Sequence, residues 1–286
     1  MNKIIDISSM SNDNKLGWTW WIILFIISVG NTTYITKHYA IKDLSPFEKK
    51  ITLFAITYAL ICSIRTTFPK KDLARTCFFN TTLSYPLFGR TIATVAELCF
   101  VKLIVSIFGK IFNDVNKQKG NLTTISSKLV KIIFPTIILA QIFSWMGCLT
   151  KNNLLNATEE SLWTFSFLVL LVISISTYNN MFLLEQTAKN ESIKTFLIYF
   201  IFAAIFYIGF MMWIDIPMYL NRAKKYKRPK NKMSLFGLVK DMAQCKKITK
   251  SYKDWKEDMP WLTGYFTLAV WSSILMVKWY YNYKRL

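Results

Sequence analysis

The stretch Pro86 to Gly109, PLFGRTIATVAELCFVKLIVSIFG, constrains this chain more than any other. It is long and apolar enough to cross a bilayer, which takes about 20 residues of helix, yet it carries Arg90, Glu97 and Lys102. A charge at that depth costs from about 2.5 kcal/mol upward on insertion scales, so such residues face a bundle interior and not lipid. Arg90 and Glu97 lie two helical turns apart and within about 20° of one face. Gly89, Ala93 and Ala96 flank that line with small side chains, which lets a neighbouring helix approach closely. The stretch reads as the central helix of a polytopic membrane protein.

Composition agrees. Of 286 residues, 53% are hydrophobic and 16% aromatic, and several further runs are apolar all round for about 20 residues. In chain order the expected spans are Trp18–Thr36, Ile51–Phe68, Pro86–Gly109, Ile132–Leu149, Ser161–Phe182, Thr195–Leu220 and Trp261–Trp279. Trp18, Trp20 and Trp21 suit an interfacial anchor for the first. Arg65 falls in the last turn of the second. Pro135 suits a helix start for the fourth, and Thr158 suits an N-cap with Glu159 and Glu160 in the first turn of the fifth. The connection from Pro69 to Tyr85 is expected as a half-helix lying on the membrane. The fold class is thus an all-α integral membrane protein, a bundle of about seven transmembrane helices with a basic amphipathic interfacial helix before the last span. Residues 1–17 form a polar tail, 18–220 hold spans one to six, 221–259 lie outside the membrane, and 260–286 form the last span and its anchor.

The formal charge is +20, from 36 Lys and Arg against 16 Asp and Glu. An excess of that size can signal nucleic acid, but here the charges sit between the apolar runs. The positive-inside bias and anionic headgroups account for them, so no nucleic-acid partner is expected. Residues 221–259 hold 13 Lys and Arg against four acids. Leu235, Leu238, Val239, Met242, Cys245, Ile248, Tyr252 and Trp255 recur there at helical spacing, with lysines between. That pattern fits a basic helix lying among anionic lipid headgroups, the expected partner of 221–259. Counting Lys and Arg on the two faces, about 19 against about 13, places the amino terminus and 221–259 in the cytosol, although the excess rests on that one segment. Sequons at Asn31, Asn80, Asn121, Asn156 and Asn190 fall on both faces and do not arbitrate.

Chemistry is bounded by a single histidine, His38. Membrane hydroxylases, desaturases and zinc hydrolases need several imidazoles, and neither a D-D-x-x-D nor an EF-hand pattern is present, so no metal site and no cofactor are expected. Cys62, Cys77, Cys99, Cys148 and Cys245 form no C-x-x-C pair and are expected as free, buried thiols. Carboxylates remain. Glu97 and Asp215 are the catalytic candidates, as proton-transferring groups; Arg90, Glu159, Glu160 and Gln141 are the ligand-binding candidates, with Arg90 suited to an anionic headgroup. Asp215 precedes Pro217 by two residues, and proline frees a backbone carbonyl one turn earlier. Such broken helices are tolerated where they line a cavity; the other reading of Asp215 is an interfacial pair with Arg222. At 1.5 Å per residue Arg90 and Glu97 lie about 10 Å apart along the axis, so each is expected to pair with another helix instead of its mate.

Three functional classes fit this set: a binder of a lipid or isoprenoid, acting through carboxylates without metal if it is an enzyme; an ion or small-solute channel or transporter running past Glu97 and Arg90; and a non-catalytic scaffold or assembly factor. The aromatic content and the basic segment favour the first, and the lack of internal repeats counts against inverted-repeat transporters.

Overall fold

The computed structural model describes residues 11–38, 44–119, 124–225 and 234–286. The polar tail before residue 11, the Asn121 sequon and the most basic part of 221–259 lie outside them. The described chain is almost wholly helical, and six helical stretches are long and apolar enough to cross a membrane: Asn12–Lys37, Pro86–Gln118, Lys128–Thr150, Asn153–Met181, Ala188–Lys225 and Met259–Arg285. The protein is therefore a multi-pass, all-α integral membrane protein.

The elements run α1 (Asn12–His38), α2 (Pro46–Thr67), α3 (Pro86–Lys119), α4 (Thr124–Thr150), α5 (Asn153–Met181) and α6 (Ala188–Phe210). A π-turn, Met211–Asp215, leads into α7 (Ile216–Lys225). After α8 (Leu235–Met242) and α9 (Tyr252–Trp255), α10 (Met259–Gly264) passes through a second π-turn, Tyr265–Ala269, into α11 (Val270–Arg285). α2 is not among the six, since its 22 residues carry Glu48, Lys49, Lys50 and Arg65, but it packs against α1, α3 and α11 as a full member of the bundle. Its start is fixed by a capping box between Ser45 and Glu48, with Pro46 in the first turn. α3, about 50 Å long at 1.5 Å per residue, is the axis. Its Leu103, Ile104, Ile107, Phe108, Ile111 and Phe112 are all buried.

Several local expectations are corrected. The Pro69–Tyr85 connection holds no half-helix: β1 (Lys70–Lys71) pairs antiparallel with β2 (Thr76–Cys77), which pairs parallel with β3 (Lys247–Ile248). The segment expected as one basic amphipathic helix is divided into α8, β3 and α9, because residues 246–249 pair with residues 75–77. Pro135 lies inside α4 and does not start it. The N-cap of α5 is Asn152, so Thr158 sits a turn inside, its hydroxyl donating to Leu154 O. Trp18 and Trp21 pack on Phe78 and Phe79, and Trp20 on Trp255, so this cluster joins α1 to the loops.

These loops form a cap over one end of the bundle. Arg75, fully buried and with a left-handed φ of 53°, holds it together. Its Nε donates to Asp241 Oδ2 at 2.9 Å, Nη2 to Cys148 O at 2.8 Å, and Nη1 to Asp72 O. One guanidinium thus links the β1–β2 turn, α8 and the end of α4. Cys77 and Cys245 form a disulfide across 168 residues of sequence, which corrects the expectation of five free thiols; Cys62, Cys99 and Cys148 are free. Spacing patterns register local pairs, and two distant loops meeting in space leave no such trace.

Candidate functional site

Beneath the cap, α2, α3, α4, α5 and the last helix each turn polar side chains inward at one level. Arg90 and Glu97 sit on the inner face of α3, and both are buried. Their side chains extend along the helix and meet, Arg90 Nη2 lying 2.7 Å from Glu97 Oε2. The expectation that each pairs elsewhere instead is overturned, because a long guanidinium arm and a glutamate arm together span two turns. Gln141 on α4 closes the arrangement. Its Oε1 accepts from the same Nη2 at 3.0 Å and its Nε2 donates to Glu97 Oε2 at 2.7 Å.

Other helices complete the shell. Arg90 Nη1 lies 3.6 Å from Glu159 Oε1 on α5, and Asn156 donates to Glu159 Oε2 at 3.4 Å. Arg65 approaches Glu97 Oε1 to 3.8 Å and lies over the ring of Tyr265. Tyr265, at the start of the second π-turn, donates its hydroxyl to the same oxygen at 3.4 Å. Arg65 and Tyr265 were not among the sequence candidates. The arginine in the last turn of a span was the available signal for the first; nothing local marks the tyrosine. Lys102 stands apart, 3.6 Å from the centre of the Phe134 ring, and Gly89 admits the Lys70 side chain where close approach of a helix was expected.

Glu160 and Asp215 form a second, looser group. Asp215 is buried at the end of the first π-turn, where the N–H of Ile216 reaches back to Met211 O. This is the widened helix that the missing N–H of Pro217 favours. Asp215 Oδ1 has no hydrogen-bond partner. It does not pair with Arg222, whose guanidinium reaches Glu257 at 3.0 Å and Asp258 at 2.9 Å. Glu160, on the adjoining face of α5, makes no side-chain hydrogen bond or ion pair among the described residues. Glu159, Glu160 and Asp215 lie within electrostatic reach of one another, with Tyr207 and Tyr219 alongside. The outer surface here is apolar: Phe206, Met212, Trp213 and Ile214 are exposed. π-turns are frequent at functional sites, and here both flank the polar layer.

The cap supplies one more basic group. Lys70 is buried above α3 and donates to Leu83 O at 2.6 Å. Burial pushes its ammonium down to about 8, against the pull of Asp72 and with help from Arg65. No group of His, Cys, Asp and Glu with metal-binding geometry occurs among the described residues. Two grooves lie away from the polar layer, about 290 Å³ between α1 and α2 and about 500 Å³ beside Gln118 and Asn190. No protein-family model, curated protein or solved structure matches this chain, so its site is read from its own chemistry.

Proposed function

We propose that the protein binds a membrane amphiphile of the lipid or isoprenoid class, whose polar end meets Glu160 and Asp215 between α5 and the π-turn. The observation that carries this reading is the division of labour in the polar layer. Arg90, Glu97 and Gln141 are tied to one another by short hydrogen bonds, with only Arg90 Nε left over. Among the described residues the Asp215 carboxylate makes no hydrogen bond or ion pair and keeps a buried oxygen without a partner, and Glu160 makes no pair. A buried, unpartnered carboxyl is costly unless something completes it. The apolar surface around Trp213 would take an acyl or prenyl chain, and a hydroxyl or amine at its head would donate to the two carboxyls. If a reaction follows, these carboxyls and not a metal exchange the proton. Glu97, by contrast, serves Arg90 and positions the layer. Arg90, already held by three partners, is a weaker headgroup ligand than its charge suggests.

The test is the lipid retained by detergent-purified protein, read by mass spectrometry. The reading expects one amphiphile class enriched over the membrane extract, and lost from Asp215→Asn and Glu160→Gln at unchanged thermal stability. Lipid of bulk composition in the unaltered protein would overturn it.

One observation favours a second reading. Asp258, Asp215, Glu160 and Glu159 form a descending series of acids, each within electrostatic reach of the next, from the cap to Arg90. A series of that kind suits proton passage, which proteoliposomes carrying a pH gradient would reveal.

A further inference from the structure

We infer that the cap, built from residues 69–85 and 234–258, faces the oxidising side of its membrane, opposite to the side that the count of Lys and Arg assigns. Cys77 is wholly buried in β2, and Cys245 lies just before the strand that pairs with it. Their Cα atoms are 5.8 Å apart, inside the range a disulfide bridges without backbone movement. The surrounding backbone is independently held: Lys246 N donates to Arg75 O at 2.8 Å and Thr249 N to Cys77 O at 3.0 Å. Folding thus brings the two sulfurs together. Forming the bond releases two protons and two electrons, which pass to a disulfide-bearing oxidant that leaves as a dithiol. Such oxidants act in secretory, periplasmic and extracellular compartments, while cytosolic thiols run the reaction backwards.

The opposing charge count weakens once the fold is known. Lys71 pairs with Asp258 at 2.8 Å, Lys151 with Asp241 at 2.9 Å, Lys246 also with Asp241, and Lys247 with Asp254 at 2.5 Å. Four lysines on this face are thus tied to acids of the cap, Lys246 and Lys247 from half-exposed positions. A bias toward the cytosol that rests on one segment yields to a covalent bond that requires an oxidant. With α2 crossing as a seventh span, the end of α11 is cytosolic.

The test uses the full chain with a carboxy-terminal epitope, in sealed vesicles of known orientation from cells quenched with acid. Under denaturing, non-reducing conditions a polymer-tagged maleimide should add three times, and five times after reduction. Cys77→Ser and Cys245→Ser should each add four times without reduction. Protease on the cytosolic face should remove the epitope, and a membrane-impermeant maleimide should label exposed Lys256→Cys from the opposite face only. Five additions before reduction, an epitope protected from cytosolic protease, or labelling of Lys256→Cys from the cytosolic face would each overturn the assignment.

Discussion

Arg90 and Glu97 stand two turns apart on one helix, yet their side chains meet at 2.7 Å, and Gln141 bonds to both. Each partner meets the others' charge or dipole inside the bundle, where all three are buried. Removing one strands the rest, at roughly 3–5 kcal/mol for a buried ion pair broken on one side. Arg90→Gln and Glu97→Gln should therefore be strongly non-additive, the double variant regaining about 0.5–3 kcal/mol over the sum of the singles. A double-mutant cycle read by thermal unfolding in detergent checks this. Additive losses would mean that the two side chains do not share one network.

The docking of α1 on the cap predicts a sharp steric contrast. A Cβ on Gly17 would overlap the backbone carbonyl oxygen of Lys250, which cannot swing aside as a side chain would. Gly17→Ala should cost about 1–3 kcal/mol through overpacking. A Cβ on Gly30, in the same helix, meets nothing within 4 Å. Gly30→Ala should leave stability unchanged or raise it by roughly 0.5–1 kcal/mol. Comparing the two melting temperatures decides; equal effects would mean that α1 is not seated on residue 250.

The cap should titrate in two windows. Lys70 has a folded value near 8, below the ordinary lysine value of about 10.4, so the folded state binds fewer protons between the two. Stability contributed there rises with pH from about 8 to about 10.4, and Lys70→Met should flatten that rise. Asp254, held low chiefly by Lys247, contributes in the same sense but at lower pH. So does Asp258, where Arg222 and Lys71 outweigh the upward push of burial. Their stabilisation is present above the ordinary carboxylate range of about 4 and is lost as pH falls through their lower folded values. Melting temperature against pH for the protein and Lys70→Met checks both limbs; identical curves above pH 8 would refute the assignment to Lys70.

The membrane helices were legible because apolar runs of this length have few other uses, and charges inside them point inward. That logic found Arg90, Glu97, Gln141 and Glu159, which the fold brings together. It also marked Asp215 through Pro217, where the helix widens. The same logic failed above the membrane. Strands of two residues carry no periodicity, and β2 and β3 are far apart in sequence. The lysine-spaced pattern of 235–255 imitates one helix, although Met242 and Trp255 are buried against the cap while Leu235 and Phe236 remain exposed. Tyr265 joined the site through tertiary packing alone, and Arg65 was marked only by its place in the last turn of α2. The pairing of Arg90 with Glu97 was missed because rise per residue measures backbones, and long side chains close such gaps.

The polar layer has two kinds of member, the partners joined by hydrogen bonds and the open carboxyls. Thermal unfolding of four charge-removing variants in one detergent tests that division most directly. Arg90→Gln and Glu97→Gln should each lose about 3–5 kcal/mol, while Glu160→Gln and Asp215→Asn should fold normally and stay within about 1 kcal/mol of the unaltered protein, since no protein partner is left behind. If Glu97→Gln melts like the unaltered protein, or Asp215→Asn falls as far as Glu97→Gln, the division between closed partners and open carboxyls is contradicted.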